Sequence, residues 1–293
     1  MPVGLLHFAR RIHPQLWWPR RSVGGTWFVA GAYARGLGMS PAARRGVAGV
    51  AHGKRKLAYA DKLLADQKPH IELFAGSRAA FYPALYATIA GTCGLRAPAE
   101  ELDLAVTDKF TPEEMGSNPV ALRLLQMLVA LTGATRALEI GTFIGISGTY
   151  LARALPPDGK LLTIERGAEF AGIAAENFRR NGVAGKVDLR VGDAKRILRD
   201  LRSRERFGLI FIDGDKDNYA VYMRLLRPHL APGGVMVVDD ALFHGDVLNA
   251  EPTTPKGKGA RAALREASKW RDCQRILLPI SNGMLLISKA KSR

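Results

Sequence analysis

The sequence predicts an α/β fold: a doubly wound, mostly parallel sheet with an antiparallel edge at the C-terminal end. Three observations predict it. From about residue 118 onward, short apolar runs alternate with longer helix-like stretches. Two of those runs, Leu209-Ile210-Phe211-Ile212 and Gly234-Val235-Met236-Val237-Val238, stop abruptly at carboxylates, as buried parallel strands do where they meet a ligand. The chain closes with two β-type runs joined by Ser281-Asn282-Gly283, whose Asn-Gly pair is a hairpin signal.

Residues 1–55 show no clean periodicity. Leu57, Ala60, Leu63 and Leu64 begin a helical pattern that reaches Leu73, and Phe81, Leu85, Tyr86 and Ile89 define another over Arg78 to Thr92. Pro98 with Glu100-Glu101 starts a helix expected to run to about Asp108. Asn118 is an N-cap and Pro119 a first-turn residue for a helix that Gly133 ends. Strand one follows over Arg136–Ile140, then a helix over Ile146–Leu155 and the turn Pro156-Pro157-Asp158-Gly159. Strand two, Lys160–Ile164, ends at Glu165, and a helix runs from Ala168 to Asn181. Strand three, Lys186–Val191, precedes a helix over Ala194–Leu201. Strand four is Phe207–Ile212, followed by a helix over Tyr219–Leu230 and strand five, Val235–Val238. Residues 241–258, rich in Pro, Gly and Lys, read as an insertion loop and candidate substrate lid. A helix over Ala260–Lys269 and strands Cys273–Pro279 and Gly283–Lys289 complete a seven-stranded sheet.

The 293 residues, 47% apolar and 8% aromatic, allow one large domain plus an extension. The formal charge of +16 is unevenly spread: residues 1–60 hold ten Lys/Arg and no Asp or Glu. The division expected is a basic, partly helical N-terminal extension over residues 1–75, flexible or used for targeting, and a catalytic domain over 76–293. Because the basic signal belongs to the extension, the body need not bind nucleic acid. Cys93 and Cys273 are too few and too far apart for a disulfide framework or a Cys-rich zinc site. No run reaches the length of a membrane span, so a cytoplasmic location is expected. The acid-free start also resembles an organelle-import segment, and Val23 to Ala34 faintly resembles an export signal.

Strand four breaks into Asp213-Gly214-Asp215-Lys216-Asp217, and strand five into Asp239-Asp240. If the two strands are neighbours, Asp213, Asp239 and Asp240 converge. Carboxylates so placed repel one another, and a hard divalent cation, Mg²⁺ or Ca²⁺ rather than zinc, removes that penalty. The plainer alternative is that each Asp caps the helix after its strand. After strand one, Glu139-Ile140-Gly141-Thr142-Phe143-Ile144-Gly145 is glycine-bearing but is not G-x-G-x-x-G. Glu139 would repel a diphosphate and suit an amine, while Glu165 can accept bonds from two ribose hydroxyls. A nucleoside with a cationic, amine-bearing tail is implied, and S-adenosylmethionine fits better than NAD.

With these motifs in place, residues from about Phe81 to Lys289 resemble the cation-dependent O-methyltransferases of the catechol and caffeoyl-CoA type, a class with a Rossmann-like sheet. The resemblance rests on Glu139 to Ser147, on Asp213-Gly-Asp-Lys-Asp-Asn-Tyr219, on Asp239-Asp-Ala-Leu-Phe-His-Gly245 and on Leu278-Pro-Ile-Ser-Asn-Gly283. It implies a cofactor site of Ser117, Glu139, Gly141, Thr142, Ser147, Glu165, Ala194, Asp215 and Tyr222. It implies metal ligands Asp213, Asp239 and Asp240 for Mg²⁺, or Ca²⁺ or Mn²⁺, and Lys216 as the catalytic base beside Asp213. It also implies a small phenolic acceptor and a homodimer. Three positions depart from the pattern: Asp240, where many relatives have Asn; Ala121-Leu122-Arg123, in place of Glu-Gly-Gln; and Asn282, where Asp is common. A tRNA O-methyltransferase of the same fold, with the basic extension gripping phosphates, is the alternative reading.

Overall fold

The structure, a computed structural model, describes residues 78–111 and 116–290. The helix expected over Leu57 to Leu73 and the boundary near residue 75 lie outside them. The chain forms two compact units, one containing α1 (Arg78–Cys93) and Gly245–Thr253, the other Arg96–His244 and the chain from Thr254 onward. Among the described residues, no helix is long and apolar enough to cross a membrane.

The second unit is the α/β body. Its elements are α2 (Pro98–Glu101), α3 (Pro119–Thr132), β1 (Arg136–Ile140), α4 (Ile146–Ala154), β2 (Lys160–Glu165), α5 (Ala168–Arg180), β3 (Val187–Val191), α6 (Ala194–Arg199), β4 (Phe207–Ile212), α7 (Tyr219–Leu226), β5 (Leu230–Val238), α8 (Pro255–Lys269), β6 (Cys273–Leu278) and β7 (Met284–Lys289). One seven-stranded sheet runs in the order β3-β2-β1-β4-β5-β7-β6. Strands β1 to β5 are parallel, β7 is antiparallel to β5, and β6 is antiparallel to β7. The order reverses between β1 and β4, which puts a crevice at their carboxyl ends.

Alternation along the strands divides the core into two layers. Leu138, Ile210, Ile212, Met236 and Val238 face α6, α7 and α8. Ala137, Leu209, Phe211, Val235 and Val237 face α3, α4 and α5. The α3 entrance is as the sequence indicates: the Asn118 side chain accepts from the Val120 and Ala121 amides at 2.7 and 3.0 Å, and Pro119 opens the helix.

Four elements differ from the sequence reading by four residues or more. Strand β5 begins at Leu230, not Val235, and pairs there with Phe207 of β4. The helix from Pro98 ends at Glu101 instead of about Asp108, because Leu102 turns extended and the chain beyond it bonds to the side chains of Asn177 in α5 and of Asn181 at its C-cap. Helix α7 stops at Leu226 rather than Leu230, with Pro228, which lacks an N–H, in the 3-10 turn Arg227–His229 that follows. Helix α8 starts at Pro255, not Ala260: the Thr254 hydroxyl accepts from the Gly257 amide at 3.0 Å, and Pro255 occupies the first turn. The expected loop over 241–258 is therefore helical at its end and 3-10 over Phe243–Leu248.

Candidate active site

The carboxyl ends of four strands lie in register. Ile140 pairs with Ile164 and Ile212, and Ile212 pairs with Val238. The residues that follow, Gly141, Asp213 and Asp239, donate their amides to Ile164, Ile140 and Ile212 at 2.9–3.0 Å, so the next groups emerge in a row. At Gly141 (φ 96°) a Cβ would stand 2.2 Å from the Asp213 carbonyl oxygen, so only glycine lets the β1 and β4 ends close up here.

On the β1–β2 side Glu139 is fully buried on the α4 layer. Its carboxylate accepts from the Ser147 hydroxyl and the Thr163 hydroxyl, each at 2.6 Å, and Thr142 meets Thr163 at 2.6 Å. Burial raises its pKa to about 7 against the pull of those two hydroxyls, with Asp213 and Glu165 adding to the rise. Glu165 accepts from the backbone amides of Phe143 and Gly167, both at 2.8 Å, and thereby braces the β1–α4 loop. Phe143 takes a left-handed φ of 49°. The Ser117 hydroxyl is buried without a hydrogen-bond partner, an orphaned polar atom beside the Asn118 cap.

On the β4–β5 side the Lys216 ammonium stands between two carboxylates, 2.8 Å from Asp240 Oδ2 and 3.3 Å from Asp213 Oδ1. Burial works against that charge, but Tyr219, Asp213 and Asp240 outweigh it and raise the Lys216 pKa. Burial pushes Asp213 up to about 6, with Lys216 opposing and Asp240 adding. Asp239 is raised well above the carboxylate range by burial, then by Asp213 and Asp240, while the Asp240 amide at 2.8 Å from Asp239 Oδ1 works the other way. Asp240 holds a φ of 51°, a conformation Asp and Asn tolerate better than most residues. The next residues are tied down: the Ala241 and Leu242 amides donate to the Gly283 and Asn282 carbonyls at 2.8 and 2.7 Å. Asp215 accepts from Asn218 at 2.5 Å. Tyr222 and Ala194 lie in the same buried cluster, and burial raises the Tyr222 phenol to about 12.

The structure thus links Glu139, Thr142 and Ser147 in one hydrogen-bonded group and Asp213, Lys216, Asp239 and Asp240 in one electrostatic group. Among the described residues, no set of three or more His, Cys, Asp or Glu is already arrayed to hold a metal ion. By chemistry the set still fits a hard cation: three crowded carboxylates, two with raised pKa, share a single ammonium. Thr163, Tyr219 and Gly259 were not legible as site residues. Thr163 has one signal, a hydroxyl inside the apolar run Leu161-Leu162-Thr163-Ile164. Tyr219 is fully buried with its hydroxyl unpartnered, and Lys216 Nζ lies 5.7 Å from its ring centre. Gly259 of α8 packs directly on the Lys216 backbone, where a Cβ would stand 2.2 Å from the carbonyl oxygen.

Residues 99–290 match the family model described as O-methyltransferase. The chain is 38% identical over 163 residues to a catechol O-methyltransferase of Niastella koreensis, covering 54% of this chain and 74% of that protein. It is 32% identical over 183 residues to caffeoyl-CoA O-methyltransferase 1 of Zea mays, covering 58% of this chain and 69% of that one. Among solved structures it resembles the O-methyltransferase TomG of Streptomyces achromogenes in complex with S-adenosylmethionine. That likeness has a TM-score of 0.57 and 30% identity over 66% of this chain and 94% of the other.

Proposed function

We propose, from the premise that this chain belongs to the S-adenosylmethionine-dependent O-methyltransferase family of the catechol and caffeoyl-CoA type, that it methylates one of two adjacent hydroxyls on a small phenolic acceptor with the help of a divalent cation. The observation that carries the proposal is the position of Lys216 between Asp213 and Asp240, with Asp239 beside them, at the β4 and β5 ends that flank the reversal of strand order between β1 and β4. The names of the relatives do not favour the tRNA reading.

Asp213, Asp239 and Asp240 would hold the cation. When bound, that cation would neutralise the carboxylates, release the Lys216 amine from them and acidify a chelating hydroxyl. S-adenosylmethionine would supply an electrophilic methyl group. Once freed from the carboxylates, Lys216 would give its extra proton to solvent, and the neutral Nζ would then accept the proton of the hydroxyl to be methylated as S-adenosylhomocysteine leaves. Glu165 would orient the ribose, with its backbone bonds to Phe143 and Gly167 fixing the carboxylate plane. Glu139 and Ser147 would receive the amine end, together with Asp215, while Gly141 and Thr142 leave the backbone open beside it. Ser117 would give its orphaned hydroxyl to the cofactor, and Ala194 and Tyr222 would flank the adenine. Buried and pre-positioned groups of this kind lower the barrier mainly by orientation and electrostatics. Assembly as a homodimer, which rests on resemblance, and residence in the cytoplasm, which rests on the sequence reading, are part of the same proposal.

Methyl transfer from labelled cofactor to a phenol panel tests the reading. Vicinal diols are expected to be methylated and the matching monophenols left unchanged. Equal turnover of monophenols would remove the two-oxygen chelate from the account, and methylated tRNA without methylated phenol would replace it.

A further inference from the structure

We infer that Asn177 of α5 is a positioning residue for the cofactor loop, and that through it the extended strap over residues 102–111 is coupled to cofactor binding. The inference rests on the reading that the β1–α4 loop receives S-adenosylmethionine.

Asn177 is fully buried in the last turn of α5, on the face it shares with Ala174 and Phe178, where an apolar residue would be the ordinary choice. Its carboxamide bonds to two distant segments. Oδ1 accepts from the Ala105 amide at 2.6 Å, and Nδ2 donates to the Ala105 carbonyl at 2.9 Å, as a neighbouring strand would. Nδ2 also donates to the Ile144 carbonyl at 2.8 Å. Ile144 lies inside the β1–α4 loop, between the Phe143 amide that binds Glu165 and the turn at Gly145. One amide group therefore fixes both the strap and the loop.

The rest of the strap repeats the arrangement. One helical turn along, Asn181 accepts from the Asp103 amide at 3.2 Å and donates to the Asp103 carbonyl at 2.8 Å. At the far end Lys109 pairs with Glu169. The Phe110 ring lies 6.5 Å from that of Phe143 and 6.4 Å from that of Phe170. The strap thus meets the loop twice, at Ile144 through Asn177 and at Phe143 through Phe110. A ligand that orders the loop must then order the strap, and a loosened strap must weaken the ligand by the same factor, because such coupling is reciprocal.

The test uses the full chain with S-adenosylhomocysteine as the probe. Calorimetry gives the Kd, and hydrogen exchange follows peptides spanning 102–111. Asn177→Asp keeps the shape and the bond from the Ala105 amide but loses both donated bonds. Asn181→Ala loosens the strap without touching Ile144. In the wild type the probe is expected to slow strap exchange. Asn177→Asp is expected to bind it about tenfold more weakly and to lose that protection, and Asn181→Ala to weaken it by a smaller factor. Wild-type affinity in Asn177→Asp, whatever its melting temperature, would overturn the inference. So would strap exchange that ignores the probe in the wild type, an outcome that still decides the matter should Asn177→Asp fail to fold. Failure of the wild type to bind the probe at all would instead overturn the cofactor reading beneath it.

Discussion

Gly259→Ala is the substitution whose consequence the structure defines most sharply. Helix α8 packs its Gly259 against the backbone of Lys216, and an alanine Cβ would lie 2.2 Å from the Lys216 carbonyl oxygen and 2.7 Å from the Asp217 Cα. Both neighbours are backbone, so no side chain can swing aside. Non-bonded carbons prefer separations of about 3.5–4.0 Å, so the Lys216 turn and α8 must part by roughly 1 Å. Overpacking of this kind costs about 1–3 kcal/mol, while the better helix propensity of alanine returns at most about 1 kcal/mol. A displacement of about 1 Å in a reacting group costs on the order of 100-fold in rate. The assay is the initial rate of catechol methylation beside calorimetric binding of S-adenosylhomocysteine. The expected result is kcat reduced about 100-fold, a modest loss of Tm and little change in cofactor affinity. Gly172→Ala is the control: that glycine lies in α5 with nothing within 4 Å of an added Cβ, and the change should stabilise by about 0.4–1 kcal/mol. A Gly259→Ala enzyme with wild-type kcat would refute the claim that α8 sets the position of Lys216.

Three further outcomes follow from the same geometry. Glu139 has a folded pKa of about 7, raised by burial above its ordinary value near 4.5, so the folded state binds its proton more tightly. Its contribution to stability is full below pH 4.5 and lost as the pH rises through 7, so wild-type stability relative to Glu139→Gln should fall by up to about 3 kcal/mol between those limits, read by urea unfolding across pH. Lys216→Ala removes the ammonium from two carboxylates; methylation should drop at least about 100-fold, and the melting temperature should fall and partly recover on adding Mg²⁺. A melting temperature of Lys216→Ala that does not respond to Mg²⁺ would count against a cation at these carboxylates. Asn118→Ala deletes the α3 cap together with the bond Asn118 Nδ2 donates to Ser281 Oγ, and should cost at least about 1 kcal/mol in thermal unfolding.

The sheet was legible because its strands are apolar runs cut off by charge. Both β1 and β4 have the bounds their sequence indicates, and Asp213 and Asp239 emerge side by side because Ile212 pairs with Val238. The features that were not legible depend on partners remote in sequence. The start of α8 looked like a loop because Pro255, Gly257 and Gly259 are helix-poor residues, yet Pro255 occupies a first turn and Gly259 is where the helix must touch Lys216. The acidic start at Pro98 suggested a long helix, but Asn177 and Asn181 offer the chain beyond Leu102 a strand-like set of bonds instead. At the site, the charged residues announced themselves as costly charge at strand ends. The groups that hold them, Thr163 under Glu139 and Tyr219 beside Lys216, are ordinary core residues in any local reading.

The central claim is that Asp213, Asp239 and Asp240 work on the phenol through a divalent cation. Its most direct test is the rate of methyl transfer to catechol with Mg²⁺, after EDTA, and after Mg²⁺ is restored, in the wild type and in Asp239→Asn. The account predicts activity that vanishes with EDTA, returns with Mg²⁺ and needs far more Mg²⁺ in the variant. Wild-type turnover unchanged by EDTA would contradict it.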